Sequence, residues 1–181
     1  WDLESADIIK SQEIKDLATA IGSLPGDTDI SNLRYGKICI LADADSDGLH
    51  IATLLCALFL RHYKNLVTSG KIYVSMPPLY RIDAAKEVFY ALDENEKESI
   101  VKRIKKQNSK IKIDIQRFKG LGEMNPSQLR ETVMKPESRR LVQLTLNSSD
   151  NANSVFDLLL SKKRAPDRKE WLEKKGNLAE I

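Results

Sequence analysis

The order of apolar and polar positions predicts a strand, a long helix and a second strand in the first half of the chain. Residues 38–42 are apolar without alternation, which is typical of a strand buried on both faces of a parallel sheet. Residues 49–67 place apolar side chains over much of a helical circumference, so we expect a largely buried helix there. The apolar run at 72–75 predicts a second strand, and the long helix between the two strands favours parallel pairing.

Further elements are predicted on both sides of this unit. Apolar residues with helical spacing at 5–21 predict a helix. Residues 22–31 are rich in Gly, Pro, Asp and Ser and predict a loop. Residues 79–82 and 88–92 flank a polar turn, as in a hairpin. The elements together indicate an α/β fold.

The second half of the chain continues with a helix and a strand, and the whole divides into three parts. Asp93 is the expected N-cap of a helix that ends near Lys106. Apolar residues alternate with polar ones at 111–115, as in a half-buried strand. The predicted parts are an amino-terminal helix and loop at 1–36, a core with the hairpin and basic helix at 37–135, and a carboxyl-terminal strand with a helical tail at 136–181.

The composition is that of a globular chain. With 181 residues, of which 41% are hydrophobic, the chain can form one sizeable domain and a small appendage. No run approaches the roughly 20 apolar residues that span a bilayer, and the amino terminus lacks an export signal. Cys39 and Cys56 lie in apolar runs without CxxC spacing, so we interpret them as buried small hydrophobic residues in a reducing compartment. A cytoplasmic location is expected, and the start at Trp1 rather than methionine suggests a piece of a longer polypeptide.

Three carboxylates follow the first predicted strand at alternate positions, Asp43, Asp45 and Asp47. Residues two apart on an extended chain share a face, and neighbouring carboxylates repel each other unless a cation lies between them. Ligands bind beyond the carboxyl ends of strands in open α/β sheets. Hard oxygen ligands at this density suit magnesium or calcium better than zinc. The pattern therefore predicts a divalent-metal site at the strand end.

Other interpretations of these acids remain open from the residues alone. An EF-hand loop would need a carboxylate at its twelfth position, where this chain has Leu54. A phosphatase with an aspartate nucleophile would also place two carboxylates two residues apart, although no second acidic pair follows here. Capping of the next helix accounts for Asp47 alone but not for all three acids.

Positive charge is clustered along the chain, although the net charge is only +3. Two segments are strongly basic, and each is compatible with contacts to a phosphate backbone or with a solvated helix face. The basic residues are Lys102, Arg103, Lys105, Lys106, Lys110, Lys112, Arg117 and Lys119 in the first segment, and Lys162, Lys163, Arg164, Arg168, Lys169, Lys174 and Lys175 in the second.

A loop with two glycines carries the end of the first basic segment. After it, Asn125, Pro126 and Gln128 form a helix-start signal, with the asparagine as N-cap and the proline at the first helical position. The glycines permit a tight loop, which favours contacts of Arg117 and Lys119 with an anionic ligand.

Three segments together resemble the type IIA DNA topoisomerases, through the metal-binding Toprim domain of the bacterial B subunit. They are Leu41-Ala-Asp-Ala-Asp-Ser-Asp-Gly-Leu-His50, Pro77-Pro-Leu-Tyr80 and Gln116-Arg-Phe-Lys-Gly-Leu-Gly-Glu-Met-Asn-Pro126. The resemblance extends through residues 140–144 to the end, and the combination is far more specific than any one motif. Within the family, residues 55–59 and the compact carboxyl terminus are most similar to topoisomerase IV B subunits, with gyrase B subunits as the close alternative.

The resemblance implies a Rossmann-like Toprim fold, with a parallel sheet flanked by helices and a small helical tail. It also implies the activity of an ATP-dependent type II topoisomerase, which cleaves and religates both DNA strands with a tyrosine of the partner A subunit as the nucleophile. The implied assembly is an A2B2 heterotetramer on DNA, associated with the nucleoid and not with a membrane. The implied site residues are Asp43 and Asp45 for Mg²⁺, Asp47 completing the acidic cluster through water, and Arg117, Lys119 and Asn125 for DNA.

Two expected segments of the family are missing. A glutamate in an earlier Glu-Gly-Asp-Ser segment and a following Arg-Gly-Lys segment are absent from residues 1–181. The first Toprim strand, and the domains that use ATP, are therefore expected outside this chain, which itself supplies no catalytic residue. A docking platform for DNA and the A subunit, with an incomplete metal site, is the alternative function.

Overall fold

The computed structural model describes residues 1–147 and 151–178, which form a mixed α/β chain. The strands are β1 Ile38–Ile40, β2 Ile72–Ser75, β3 Tyr80–Ala84, β4 Glu87–Ala91, β5 Ile113–Arg117 and β6 Leu141–Gln143. The α-helices are α1 Ser5–Ile8, α2 Gln12–Ile21, α3 Ser46–His62, α4 Lys64–Thr68, α5 Glu94–Gln107, α6 Pro126–Leu129, α7 Ala152–Leu160 and α8 Ala165–Lys175. The predicted α/β class is confirmed. Within the described ranges, none of the helices has the length and apolar content needed to cross a membrane.

The chain divides into two compact units, each assembled from separate stretches of sequence. The first comprises Trp1–Ile38, Leu55–Ile72 and the described part of Leu144–Ile181, and the second comprises Cys39–Leu54 and Tyr73–Gln143. The core of the first unit contains buried side chains from α2, α3, α4, β2 and the junction between α3 and α4, namely Ala18, Ile21, Ala57, Phe59, Leu60, Tyr63, Leu66, Val67 and Ile72.

In the second unit, β3 is the central strand of an antiparallel sheet with the order β4-β3-β5. Ile82 of β3 lies opposite Phe89 of β4 on one side and opposite Ile115 of β5 on the other. The buried side chains between this sheet and α5 are Ile82, Ala84, Ala91 and Ile104. The predicted hairpin is confirmed, and so is the strand that follows α5.

Helix α5 begins as its sequence predicts. The side chain of Asp93 accepts a hydrogen bond from the Glu96 N–H at 2.8 Å and caps the helix. Acidic residues occupy the first turn and Lys105 and Lys106 the last, so both ends complement the helix dipole.

The other sheet, with the order β1-β2-β6, differs from the prediction. Strand β2 pairs antiparallel with β6, with Val74 opposite Val142, so the sheet is not the all-parallel one expected. An antiparallel neighbour needs no crossover helix, which is why the strand–helix–strand pattern could not reveal it. Strand β1 is not buried on both faces either. Cys39 is exposed and Cys56 of α3 is only half-buried, so the expected burial of Cys39 is wrong.

Two helices predicted as continuous are each divided. The predicted helix at 5–21 is α1 and α2, separated at Ser11, whose backbone is extended with φ −70° and ψ 137°. The predicted helix at 49–67 is α3 and α4, separated at Tyr63. The His62 carbonyl accepts a hydrogen bond from the Gly26 N–H at 2.7 Å, so a loop satisfies the carbonyl at the end of α3.

Burial differs between the two halves of α3. Near its start Leu49 is 60% exposed and Leu54 is also exposed, whereas Phe59 near its end is 2% exposed. The prediction of a largely buried helix is therefore wrong for the first half. Periodicity identifies the apolar residues, but it does not show how much partner surface is available to cover them.

Candidate metal and nucleic-acid site

Asp45 connects β1 to α3 and caps the helix. Its Oδ1 accepts a hydrogen bond from the Gly48 N–H at 2.7 Å, and its carbonyl accepts one from the Leu49 N–H at 3.0 Å. The positive end of the helix dipole stabilises a carboxylate in this position. A side chain at Gly48 would collide with the backbone of Asp43, so glycine permits the close approach of the first turn of α3 to the end of the strand. The strand-to-helix geometry also excludes an EF-hand, which needs a helix before its loop.

Asp43 joins this turn to the glycine loop, which is far away in sequence. Its Oδ1 accepts a hydrogen bond from the Leu121 N–H at 2.7 Å. A Cβ placed on Gly120 would lie 3.2 Å from Cγ, Oδ1 and Oδ2 of Asp43, so the Gly120 backbone lies directly against the carboxylate. The structure therefore brings the acidic strand end and the basic loop together, which sequence spacing alone does not show.

The third aspartate, Asp47, lies exposed in the first turn of α3. Among residues 1–147 and 151–178, no group of three or more His, Cys, Asp or Glu side chains is arranged to hold a metal ion. The structure thus places Asp43 and Asp45 in the turn before the helix and Asp47 inside it, without gathering the three into one cluster.

Arg117 and Lys119 flank the buried Phe118 at the end of β5. The Phe118 N–H donates a hydrogen bond to the Leu79 carbonyl at 2.8 Å, and its side chain is fully buried. Arg117 and Lys119 are exposed on either side of it. The Lys119 N–H donates to Glu123 Oε2 at 2.8 Å, which closes the loop that contains both glycines. Strand β5 and the loop thus present two cations to solvent, and the backbone of the same loop contacts Asp43.

The surroundings of Arg117 include residues that the sequence interpretation missed. Tyr80 lies opposite Arg117 in the β3–β5 register, and its hydroxyl donates to Glu94 Oε2 at 2.7 Å. The Lys97 ammonium lies 4.8 Å from the centre of the Tyr80 ring. Hydrogen bonds from Lys97 and Tyr80 lower the pKa of the Glu94 carboxyl, with the positive charge of Arg117 as a smaller cause. The strand pairing places Tyr80 opposite Arg117, and Glu94 and Lys97 contact that tyrosine.

Asn125 is occupied by the helix start that its sequence predicts. Its side-chain oxygen accepts from the Gln128 N–H, and Gln128 Oε1 accepts from the Asn125 N–H, each at 2.9 Å. This capping box, with Pro126 at the first turn, fixes where α6 begins. The side-chain oxygen of Asn125 is therefore engaged in the cap, and a contact with DNA would use the side-chain NH2 group.

Several cations of the second basic segment are paired with neighbouring acids. Arg164 forms ion pairs with Asp157 and with Asp167, and Lys174 forms one with Glu170. Such pairing reduces the positive potential of the second segment. Lys102 of the first segment is paired as well, with Glu98, so the better candidates for phosphate contacts are the exposed Arg117 and Lys119 at the end of the first segment.

The sequence matches known proteins along its whole length. It is 60% identical to the DNA topoisomerase 4 B subunit of Pseudomonas aeruginosa over 181 residues, which is 100% of this chain and 29% of that relative. It is 57% identical to the DNA topoisomerase 4 B subunit of Escherichia coli over 183 residues, again 100% of this chain and 29% of the relative. The chain belongs to this family of topoisomerase B subunits. The chain spans 29% of the length of these two relatives.

More distant matches are consistent with membership of the topoisomerase B-subunit family. A family model described as DNA gyrase B subunit, carboxyl terminus, matches residues 110–173. The chain is 42% identical to the DNA gyrase B subunit of Thermotoga maritima over 168 residues, which is 92% of this chain and 26% of that relative. The resemblance drawn from three sequence segments is confirmed, and the higher identity favours the topoisomerase IV branch over gyrase.

Proposed function

We propose that the polypeptide containing this chain is the B subunit of a bacterial topoisomerase IV. It acts in the cytoplasm on nucleoid DNA, in an A2B2 heterotetramer with the A subunit, and it decatenates and relaxes chromosomes by ATP-dependent double-strand passage. ATP is used by domains outside this chain. Identity of 57–60% over the whole chain to topoisomerase 4 B subunits supports this function. A gyrase B subunit is the alternative within the family.

The proposal includes a Toprim core at 37–135, between the parts at 1–36 and 136–181. It is supported by β1, the acidic turn that follows it and α3, which occur in the order that such a core requires. The antiparallel β6 and the three-stranded sheet around β3 are additions to the parallel arrangement implied by the sequence.

The donor groups of the acidic turn fit Mg²⁺. Asp43 and Asp45 each have one carboxylate oxygen oriented by a backbone N–H, from Leu121 and Gly48 respectively. Carboxylates that bind metals are commonly held in this way by a second hydrogen bond. Magnesium commonly binds proteins through one or two carboxylates and keeps several waters, so Asp43 and Asp45 would hold the ion and Asp47 would contribute through water.

The proposed mechanism assigns binding and orientation to this chain. Asp43 and Asp45 would hold magnesium, which when bound would stabilise the charge on the scissile phosphate and the leaving oxygen. The Gly48 and Leu121 N–H groups hold the two carboxylates in position for the metal. Arg117 and Lys119 bind neighbouring phosphates and set the register of the DNA, with Asn125 at the end of the same loop. The nucleophile is a tyrosine of the partner A subunit and not a tyrosine of this chain.

The single observation that carries this proposal is the hydrogen bond from the Leu121 N–H to Asp43, because it joins the acidic turn to the basic loop. The test is DNA cleavage by the full-length B subunit with its A partner, comparing the wild type with Asp45→Asn. Asparagine is as good an N-cap as aspartate, so the variant keeps α3 while it removes the charge. We expect cleavage to fall by about a hundredfold or more.

Asp114→Asn is the matched control, because Asp114 is an exposed acid on β5. Its cleavage is expected to equal that of the wild type. Full cleavage by Asp45→Asn at ordinary magnesium concentrations would move the chemistry to other residues.

A docking platform for the A subunit and DNA is the second candidate function. It is favoured by exposed apolar side chains in the first half of α3, Leu49, Ile51 and Leu54, since such patches mark protein interfaces. The two functions differ in metal affinity. A platform needs no magnesium, whereas the topoisomerase site loses magnesium binding when Asp43 and Asp45 are both replaced by Asn.

A further inference from the structure

Gly120 has a steric role that its backbone conformation does not explain. Its φ of −164° and ψ of 173° are extended values that any residue adopts. The space around it is different, because an added Cβ would lie 3.2 Å from three atoms of the Asp43 carboxylate. That separation is tighter than ordinary van der Waals contact. Glycine at this position therefore lets the loop backbone approach the carboxylate.

The loop beyond Gly120 is a single compact turn. The Glu123 N–H donates to the Gly120 carbonyl at 3.2 Å, and the Met124 N–H donates to the Leu121 carbonyl at 3.1 Å. The Glu123 side chain in turn accepts from the Lys119 N–H. These hydrogen bonds connect Lys119 through the turn to the Leu121 N–H, which donates to Asp43.

We infer that magnesium binding at Asp43 and phosphate binding at Arg117 and Lys119 are coupled through Gly120 and Leu121. The inference rests on the proposed function, because it needs both ligands to bind. Gly120 and Leu121 are positioning residues here, which act through their contacts with Asp43. A ligand on one side of the turn fixes the loop in the geometry that the other ligand requires.

The charges give the coupling a positive sign. Without a metal, the negative carboxylate of Asp43 lies against a loop that is to receive an anionic phosphate, and like charges repel. Magnesium at Asp43 offsets this charge, so each ligand favours the other. Linkage requires the effect to be equal in both directions. We expect duplex DNA to tighten magnesium binding about tenfold, within the usual range of coupling between sites.

The experiment measures both affinities in the full-length polypeptide. Magnesium affinity is determined by calorimetry with and without a 20-base-pair duplex, and duplex affinity by fluorescence anisotropy with and without magnesium. Ionic strength is held constant, because magnesium also screens phosphate charge. The wild type is compared with Gly120→Ala and with the control Gly122→Ala. A Cβ at Gly122 meets no atom within 4 Å in the described structure, so this control keeps the loop unchanged.

A second variant, Leu121→Pro, removes the N–H donor itself. Proline suits the first position of the helical turn Leu121–Glu123, and the extended Gly120 before it is compatible with a following proline. It tests the coupling even if Gly120→Ala disturbs the fold.

The expected result is coupling of about tenfold in the wild type and Gly122→Ala, reduced to about twofold or less in Gly120→Ala and Leu121→Pro. Coupling that persists in both of those variants would overturn the inference and leave the proposed function standing. Independent binding of both ligands to the wild type would overturn it in the same way. A wild type that binds neither magnesium nor duplex would instead refute the proposed function.

Discussion

The two sheets differ in how completely they cover their apolar side chains. In the sheet β4-β3-β5, α5 packs against one face, and Ile82 on the central strand has no exposed surface. In the sheet β1-β2-β6, Val142 on β6 is 56% exposed and Cys39 on β1 is exposed as well. Both sheets bury their central strand, since Ile72 of β2 has no exposed surface either. The edge strands differ, because Val142 is more exposed than Val88 on β4 and Ile115 on β5, which are 43% and 44% exposed.

The difference follows from the distance in sequence between the elements of each sheet. Strands β3 and β4, helix α5 and strand β5 are consecutive in the chain, so the hairpin and its covering helix form from local contacts. Strands β1, β2 and β6 come from three separate stretches. A continuous segment thus supplies the helix that packs on its own sheet. A sheet assembled from distant segments depends on other parts of the polypeptide to cover its apolar side chains.

Truncation of Ile82 is the strongest way to break this comparison. Ile82→Ala removes a fully buried side chain from the core of the sheet β4-β3-β5, which costs about 3 kcal/mol. Native-state hydrogen exchange of the β3 amides is expected to accelerate by about a hundredfold. Val142→Ala is the matched truncation in the other sheet, and it is expected to change stability by less than about 0.5 kcal/mol. Equal effects of the two substitutions would contradict the difference in cover.

The two cysteines test the exposure of β1 directly. Cys39 is exposed, whereas Cys56 is half-buried and burial raises the pKa of its thiol. Because the thiolate is the reacting species, we expect iodoacetamide to alkylate Cys39 at least about tenfold faster at a fixed pH. Peptide mass spectrometry measures both rates in one sample, and urea should make them equal. Alkylation of native Cys56 as fast as Cys39 would contradict the difference in exposure between the two thiols.

Local patterns predicted those parts of the fold that have their partners nearby in sequence. The hairpin, the Asp93 cap of α5 and the capping box at Asn125 are all confirmed, because each depends on residues within a few positions of one another. The all-parallel sheet, the buried Cys39 and the continuous helix at 49–67 are wrong. Each of these depends on a partner from another segment, such as β6 beside β2 or Gly26 at the end of α3.

The candidate site shows the same division. Its acids, cations and glycines are recognisable from their types and spacing, as three carboxylates after a strand and a basic loop with two glycines. The proximity of the acidic turn and the basic loop cannot be recognised in this way, because it depends on a hydrogen bond between residues 78 positions apart, Leu121 and Asp43. The reason for glycine at position 120 is likewise visible only where the Asp43 carboxylate lies against it.

The capping role of Asn125 gives a smaller effect. Asn125→Ala removes the acceptor for the Gln128 N–H and is expected to cost about 1 kcal/mol, or about fivefold faster exchange of that amide, in the absence of DNA. Asn95→Ala is the control, since Asn95 is an exposed asparagine in the first turn of α5. Unchanged exchange in Asn125→Ala would mean that the cap contributes nothing to α6.

The smallest effect concerns the ion pair that links the two sheets. Arg140, just before β6, donates to both carboxylate oxygens of Glu96 on α5, at 2.8 and 2.9 Å, and its carbonyl accepts from the Met76 N–H after β2. Because the pair is partly exposed, Glu96→Gln is expected to cost about 0.5 kcal/mol at neutral pH. The exposed pair of Glu98 with Lys102 gives the control, Glu98→Gln, which is expected to have almost no effect.

The pH dependence of this ion pair identifies its contribution. Hydrogen bonds from Arg140 lower the pKa of the Glu96 carboxyl below its ordinary value of 4.5, with a smaller contribution from the Leu92 N–H. A lowered carboxyl pKa stabilises the folded chain above that ordinary value, and the stabilisation is lost as the pH falls through the folded pKa. The difference between wild type and Glu96→Gln should therefore be full at pH 7 and shrink below pH 4.5. If hydrogen exchange accelerates in β2 and β6 as well as in α5, the pair couples the stabilities of the two sheets. Acceleration in α5 alone would show that the two sheets open independently.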